Sequence, residues 1–204
     1  MERKTQTGFL VLADISGYTS FVAKTEIEHA DMALSFLLEA IIEKLSNCLT
    51  ISKLEGDAVF CYCEVDKLPA DKSLLEMIDQ TYQAFRDKAT SLYTHATCDC
   101  KACKAIPTLD LKFIVHYGDF VIQQIAGIKD LLGTDVNLIH RLLKNHVAES
   151  TGWQGYVIFT DPVLGYIPQD KDNYFKRYET YEHLGDVNIS CLNMHTRYDE
   201  LKAS

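Results

Sequence analysis

The stretch GFLVLADISGYTSF, residues Gly8 to Phe21, decides how the whole chain is read. Apolar strand formers run from Phe9 to Ala13, and an acid, Asp14, stands where the run stops. Ser16, Gly17, Tyr18 and Thr19 follow at once. A short apolar run bounded by Gly8 and by Ser16–Gly17 predicts a fully buried strand over 8–14, with a helix entered behind it. A carboxylate in that place either caps the helix or faces a ligand, and spacing alone leaves both open.

Outward from this strand, apolar residues recur three and four apart at Ala30, Ala33, Leu34, Leu37, Leu38, Ile41, Ile42 and Leu45. That period predicts a long amphipathic helix from Glu26 to Leu49. LTISKLEGDAVFCYCEV reads as two strands about a tight turn at Glu55–Gly56–Asp57. Pro69 to Asp71 opens a second helix to about Thr94, with Leu74, Leu75, Ile78, Tyr82 and Phe85 on its face. LDLKFIVHYGDFVIQQIAG reads as another strand pair, broken at Tyr117–Gly118–Asp119, and Gly133 to Asn145 as a third helix. The tail holds a strand at GYVIFT, a short helix after Asp161–Pro162 and a last hairpin turning near Gly185–Asp186. No linker, repeat or low-complexity segment divides residues 1–204, so one domain is expected. The order β-α-β-β-α-β points to an α+β sheet with helices packed on one face.

Composition narrows the function. The 204 residues are 47% hydrophobic, enough for a real core. The net charge of −9 argues against nucleic acid as a partner, because a polyphosphate backbone needs a basic face. No apolar run approaches membrane-spanning length, and MERKTQTG lacks the features of a secretory signal, so a cytoplasmic protein with no membrane partner is expected. Seven cysteines in such a setting are read as reduced thiols.

Asp14 at a strand end and Asp57 in a hairpin turn can project from the same sheet edge. Two carboxylates meeting there would hold hard divalent cations, since Mg²⁺ takes one or two carboxylates together with phosphate oxygens. The amides of Ile15 to Thr19 would form a nest for a phosphate chain. In KDLLGTDVNLIHRLLKN, Asn137 and Arg141 lie four apart on one helix face, with Asp130 in the loop before it.

Three pieces, LADISGYTSF, KLEGDAVF and DLLGTDVNLIHR, together resemble the catalytic domain of class III nucleotidyl cyclases, in that family's order and close to its intervals. VHYGDFVIQQIAGI resembles the intervening strand pair, and the likeness spans roughly residues 8 to 145. The resemblance implies a divergent, stand-alone bacterial-type member: a ferredoxin-like (βααββαβ) cyclase homology domain of the α+β class, mostly antiparallel. It implies that Asp14 and Asp57 hold two Mg²⁺ or Mn²⁺ ions, with the carbonyl of Ile15 as a further ligand, and that Gly17, Tyr18 and Thr19 meet the triphosphate. Lys53 and Asp130 match the positions that read the purine. A lysine donates to adenine N1 and an aspartate accepts from the exocyclic amine, whereas guanine presents the reverse polarity. Asn137 matches the residue that orients the ribose and Arg141 the one that stabilises charge on the α-phosphate. The implied reaction converts ATP to cyclic AMP and pyrophosphate, in a homodimer whose sites lie at the interface. Two other readings use the same residues: a cyclase-like domain that binds a nucleotide or partner without catalysis, and a cyclase acting on another base.

The sequence also departs from the family. His183, in YEHLGDVNISCL, stands near the place of a lysine that meets the triphosphate, and Leu132 precedes Gly133 where an aromatic is usual. THATCDCKACKAIP forms an insertion over 95–107, in which Cys98, Cys100 and Cys103 with His95 offer four soft ligands within nine positions. Such a set can close a tetrahedral Zn²⁺ site; the alternative is a loop with incidental thiols. Cys61 and Cys63 share one strand face and are read as buried small hydrophobes. His116 is read as a satisfied residue at a strand end, Trp153 as packing beside the third helix or at a dimer seam, and Tyr174 to Tyr181 with Lys176 and Arg177 as an exposed aromatic edge.

Overall fold

The computed structural model describes residues 4–68, 73–168 and 174–203. The expected helix opening at Pro69 to Asp71 lies outside them. Strand β1 spans Thr5–Ser16, longer at both ends than its apolar run. It sits between β3 (Ala58–Glu64) and β4 (Asp110–Ile125), antiparallel to both, with Asp14 opposite Ala58 and Lys112. With β2 (Thr50–Glu55), β5 (Ile128–Leu132), β6 (Tyr156–Thr160), β7 (Phe175–Tyr181) and β8 (Gly185–Asn193), they form one sheet in the order β2-β3-β1-β4-β6-β8-β7. β5 hangs on the far end of β4 as a hairpin arm. Every described pairing is antiparallel except β4 with β6.

Phe9, Leu10, Val11, Leu12 and Ala13 are all inaccessible to solvent, so β1 is covered on both faces. Phe9, Val11 and Ala13 pack with Leu34, Leu37 and Ile41 of α2 (Ile27–Leu45) and with Ile78 and Phe85 of α3 (Leu74–Thr94). Leu10 and Leu12 pack on the other side with Val136, Ile139 and Leu142 of a later helix, Thr134–Leu142. Helices therefore cover both faces rather than the one expected, because a strand apolar at successive positions needs cover above and below. Each fully buried large side chain here contributes about 1.5–3 kcal/mol relative to exposure.

Local chemistry sets the element ends. A short helix α1 (Tyr18–Lys24) starts after Gly17, whose φ of 89° suits a residue without a Cβ. The Ser73 hydroxyl accepts from the Glu76 amide at 3.0 Å and caps α3. The insertion folds into a one-turn helix α4 (Lys101–Ala105). Helix α5 (Thr134–Leu142) and the short α6 (Val147–Thr151) follow β5, and a helix α7 (Met194–Ala203), which the sequence reading lacks, follows β8.

Two expectations are corrected. The strand pair does not break at Tyr117–Gly118–Asp119, because β4 runs straight through these residues and turns only at Ala126 and Gly127, both at positive φ. Gly118 lies opposite Gly8, and a Cβ on it would run into the Asp135 carboxylate of the helix Thr134–Leu142, so the glycine makes room for a side chain packed on the strand. Asp130 accordingly stands on β5, paired with Gln123, rather than in a loop. Among the described residues, no helix is long and apolar enough to cross a membrane.

Candidate nucleotide and metal sites

Asp14 continues the side of β1 that carries Leu10 and Leu12, the side covered by α5. Its carboxylate pairs with the Lys112 ammonium at 3.0 Å. The β2–β3 turn folds Asp57 against it, and the Ile15 amide donates to the Asp57 carbonyl at 3.3 Å. Burial, and then the neighbouring Asp14 charge, push the Asp57 carboxyl up from 3.8 to about 6. Two acids crowded at one end of the inner strands β1 and β3, with the second resisting ionisation, make a donor set suited to hard cations. The residues fit the divalent ions the cyclase resemblance implies: a cation between them would remove the cost of ionising Asp57.

A second charged group lies on the same face. Lys53, on β2, donates to Asp130 on β5 at 3.0 Å and pairs with Glu55 at 3.0 Å. Burial opposes the Lys53 charge, but the two carboxylates outweigh it and hold the ammonium above its usual range. Asp130 is held below the ordinary carboxylate range by Lys53 and by the Leu131 amide, which donates to it at 2.8 Å. His140 of α5 sits 3.3 Å from Glu55 and edge-on to Phe60, and burial keeps it below its usual range. Asn137 and Arg141, on the same helix as His140, are exposed. A cleft of about 160 Å³ lined by Ser52, Tyr62, Ile122 and Asp130 opens beside the pair.

On the opposite face, the insertion gathers a different set. The sulfur of Cys98 lies 3.3 Å from that of Cys100 and 3.1 Å from that of Cys103. The fourth member is His29 of α2, not the expected His95: His29 Nδ1 lies 3.0 Å from Cys100 Sγ and 3.6 Å from Cys98 Sγ. His95 Nδ1 instead lies 2.9 Å from the Ser91 carbonyl at the end of α3. Hydrogen bonds from the Cys103 amide and His29 lower the Cys100 thiol to about 6, while the Cys98 thiol and burial raise Cys103 to about 12. Cys61 and Cys63 are buried on β3, away from this cluster. A groove of about 530 Å³ lined by Met32, Phe36, Leu92 and Ile106 runs alongside.

The remaining residues are structural in their surroundings. His116, in mid-strand rather than at a strand end, is buried with Nδ1 2.7 Å from the Thr160 hydroxyl and Nε2 3.1 Å from Asp135. Trp153 packs edge-to-face on Phe175 at 5.9 Å. Tyr178 is 63% exposed on the edge strand β7. His183 occupies the β7–β8 turn at φ 68° and is 87% exposed, against Glu182 at 3.5 Å.

Comparison with known proteins adds the relatives. A sequence profile of the family described as "Protein of unknown function (DUF2652)" matches residues 34–151, more than half of the chain. The chain belongs to the DUF2652 family. It is 34% identical over 130 residues to the uncharacterized protein Rv2561/Rv2562 of Mycobacterium tuberculosis, a match covering 62% of this chain and 57% of that protein. The fold of this DUF2652 chain is that of class III cyclase catalytic domains. The guanylyl cyclase Cya2 superposes with a TM-score of 0.73 at 15% identity, over 94% of this chain and 93% of that one. A bacterial light-regulated adenylyl cyclase gives 0.70 at 14%, over 98% and 56%. The catalytic core of a rhodopsin-guanylyl cyclase with converted specificity, in complex with ATPαS, gives 0.61 at 17%, over 93% and 97%.

Lys112, Glu55, His140 and His29 are the residues that sequence reasoning did not place in these groups. A lysine inside the apolar run LDLKFIV was a readable signal for Lys112, and Glu55 shares a strand face with Lys53 two residues away. His29 carried none, because 69 residues separate it from Cys98 and only the tertiary fold joins them.

Proposed function

We propose that this DUF2652 chain is a nucleotidyl cyclase that converts ATP to cyclic AMP and pyrophosphate. The observation that carries the reading is the placement, on one face of a cyclase-type sheet, of the Asp14–Asp57 pair and the Lys53–Asp130 pair. Asp14, Asp57 and the Ile15 carbonyl would hold two Mg²⁺ or Mn²⁺ ions. Bound there, such ions supply charge neutralisation at the phosphates and lower the pKa of the ribose hydroxyl.

The chain's own groups bind and orient. Lys53 donates to adenine N1 and Asp130 accepts from the exocyclic amine, with Asp130 already fixed by the Leu131 amide. The amides of Gly17, Tyr18 and Thr19, at the start of α1, receive the phosphate chain. Asn137 positions the ribose so that its 3′-oxygen reaches the α-phosphorus. The new O–P bond forms as the bond to the β-phosphate oxygen breaks, pyrophosphate leaves, and the hydroxyl proton passes to water. Arg141 faces the negative charge that grows on the α-phosphate oxygens.

The 160 Å³ cleft beside Asp130 is smaller than the roughly 300–1,000 Å³ typical of ligand pockets. Ile125, Ile128 and Leu132, on the β4–β5 arm, are 59%, 72% and 53% exposed. Both facts support a homodimer in which a second copy completes the site and covers the arm.

The test is to incubate the purified chain with each of the four nucleoside triphosphates and Mn²⁺ or Mg²⁺, and to look for cyclic product by mass spectrometry. Cyclic AMP is expected, abolished in Asp57→Ala and reduced about 10²–10³-fold in kcat in Arg141→Ala, about 2.7–4 kcal/mol of barrier. No product from any nucleotide would sink the enzyme and leave a cyclase-like binding domain.

A further inference from the structure

We propose that Cys98, Cys100, Cys103 and His29 hold one zinc ion in a closed tetrahedral site that fastens the 95–107 insertion to helix α2. Four donor atoms of the right kind lie within 4.8 Å of one another, from two segments far apart in sequence. Three sulfurs and one imidazole nitrogen make the donor set of a structural zinc site.

The distances suit this ion. A tetrahedron with Zn–S of about 2.3 Å and Zn–N of about 2.0–2.1 Å has sulfur–sulfur edges of about 3.8 Å and sulfur–nitrogen edges of about 3.5 Å. Four of the six observed edges are 3.1 and 3.3 Å between sulfurs and 3.0 and 3.6 Å from His29 Nδ1, and the other two, Cys100–Cys103 and His29–Cys103, lie within 4.8 Å. Opening the three short edges by about 0.5–0.7 Å admits the metal. A disulfide is the competing chemistry, but it would join two sulfurs and leave the third and the imidazole crowded against it. All three cysteines are free thiols.

The surroundings fit a metal thiolate. The Cys103 amide donates to Cys100 Sγ at 3.3 Å, the kind of outer hydrogen bond that steadies a bound sulfur. Three thiolates and Zn²⁺ leave one net negative charge; Lys101 stands between Cys100 and Cys103 in sequence, while Lys104 pairs with Asp99 at 2.7 Å. With four protein donors no coordination position is open to a substrate, so the role is structural rather than catalytic. The joint also has a second strand: the Glu26 carboxylate, just before α2, accepts from the Ala102 amide at 3.1 Å.

The experiment is elemental analysis of the untagged full chain after purification and after exposure to zinc and removal of excess. One zinc per chain is expected. Cys98→Ser with Cys103→Ser, and His29→Ala, should lose it, whereas His95→Ala and the conservative His29→Cys should keep it. Cobalt substitution should give the intense charge-transfer and visible absorption of a tetrahedral thiolate site. Folded wild-type chain that takes up no zinc, or a Cys98–Cys103 disulfide in its mass spectrum, would overturn the proposal. So would iron or copper in place of zinc, or zinc lost with His95 and kept without His29. None of these readouts uses nucleotide turnover, so the result stands apart from the cyclase assay.

Discussion

At the scale of single residues, charge placement separates what the sequence discloses from what only folding creates. Lys53 and Asp130 are 77 residues apart and pair at 3.0 Å; both positions were tied to the base of a nucleotide by a resemblance, which says nothing of the pair itself. Glu55 and His140 were not, although they touch the same group, since nothing in spacing says which neighbours a folded lysine recruits. A similar case offers a test away from the sites. His146 at the start of α6 lies 2.7 Å from Glu179, which is 2% exposed, and this carboxylate raises its pKa above the usual 6.5. Burial and Arg177 pull the other way, and Glu149 adds to the rise. A histidine raised in the folded state stabilises below its unfolded pKa and loses that contribution as pH rises through the folded value. The melting temperature of His146→Ala should therefore fall further below wild type at pH 6 than at pH 8, and an equal gap at both would remove the ion pair from the account.

Elements were legible where their pattern is period-based and less so where a turn decides. The 3.6-residue period found α2 and α3, and two strand-like pieces about the glycine turn at Gly56 found the β2–β3 hairpin. Tyr117–Gly118–Asp119 misled because a glycine beside an acid also signals a turn, whereas here Gly118, opposite Gly8, leaves room for the Asp135 carboxylate of α5. The opposing residue, Gly8, is tighter still. A Cβ there would run into the Cys63 carbonyl and lie 2.9 Å from the Glu64 Cα. Backbone on a central strand cannot step aside cheaply, so Gly8→Ala should destabilise by about 1–3 kcal/mol and lower the melting temperature by roughly 2–4 °C per kcal/mol. An unchanged urea midpoint would mean that β1 can shift against β3 without loss.

For the whole molecule, the proposed activity makes a claim about two chains at once. If metal carboxylates come from one copy and base, ribose and phosphate contacts from the other, then Asp57→Ala and Asn137→Ala fail for different halves of each site. Mixing the two inactive variants should restore part of the turnover, because one of the two sites in a mixed dimer has both halves intact. No recovery, with mixed dimers shown to form, would place the complete site within one chain. The sheet itself carries a further consequence, in the order of synthesis. β3 is made soon after β1 and covers one edge, but the other edge waits for β4, whose residues 110–121 pair with residues 5–16. At about 5–20 residues per second, the ribosome leaves that edge open for roughly 5–20 s. During that interval an apolar strand bound for burial on both faces is half unpaired, which makes nascent-chain aggregation and chaperone demand, rather than final stability, the constraint on how fast this protein can be produced.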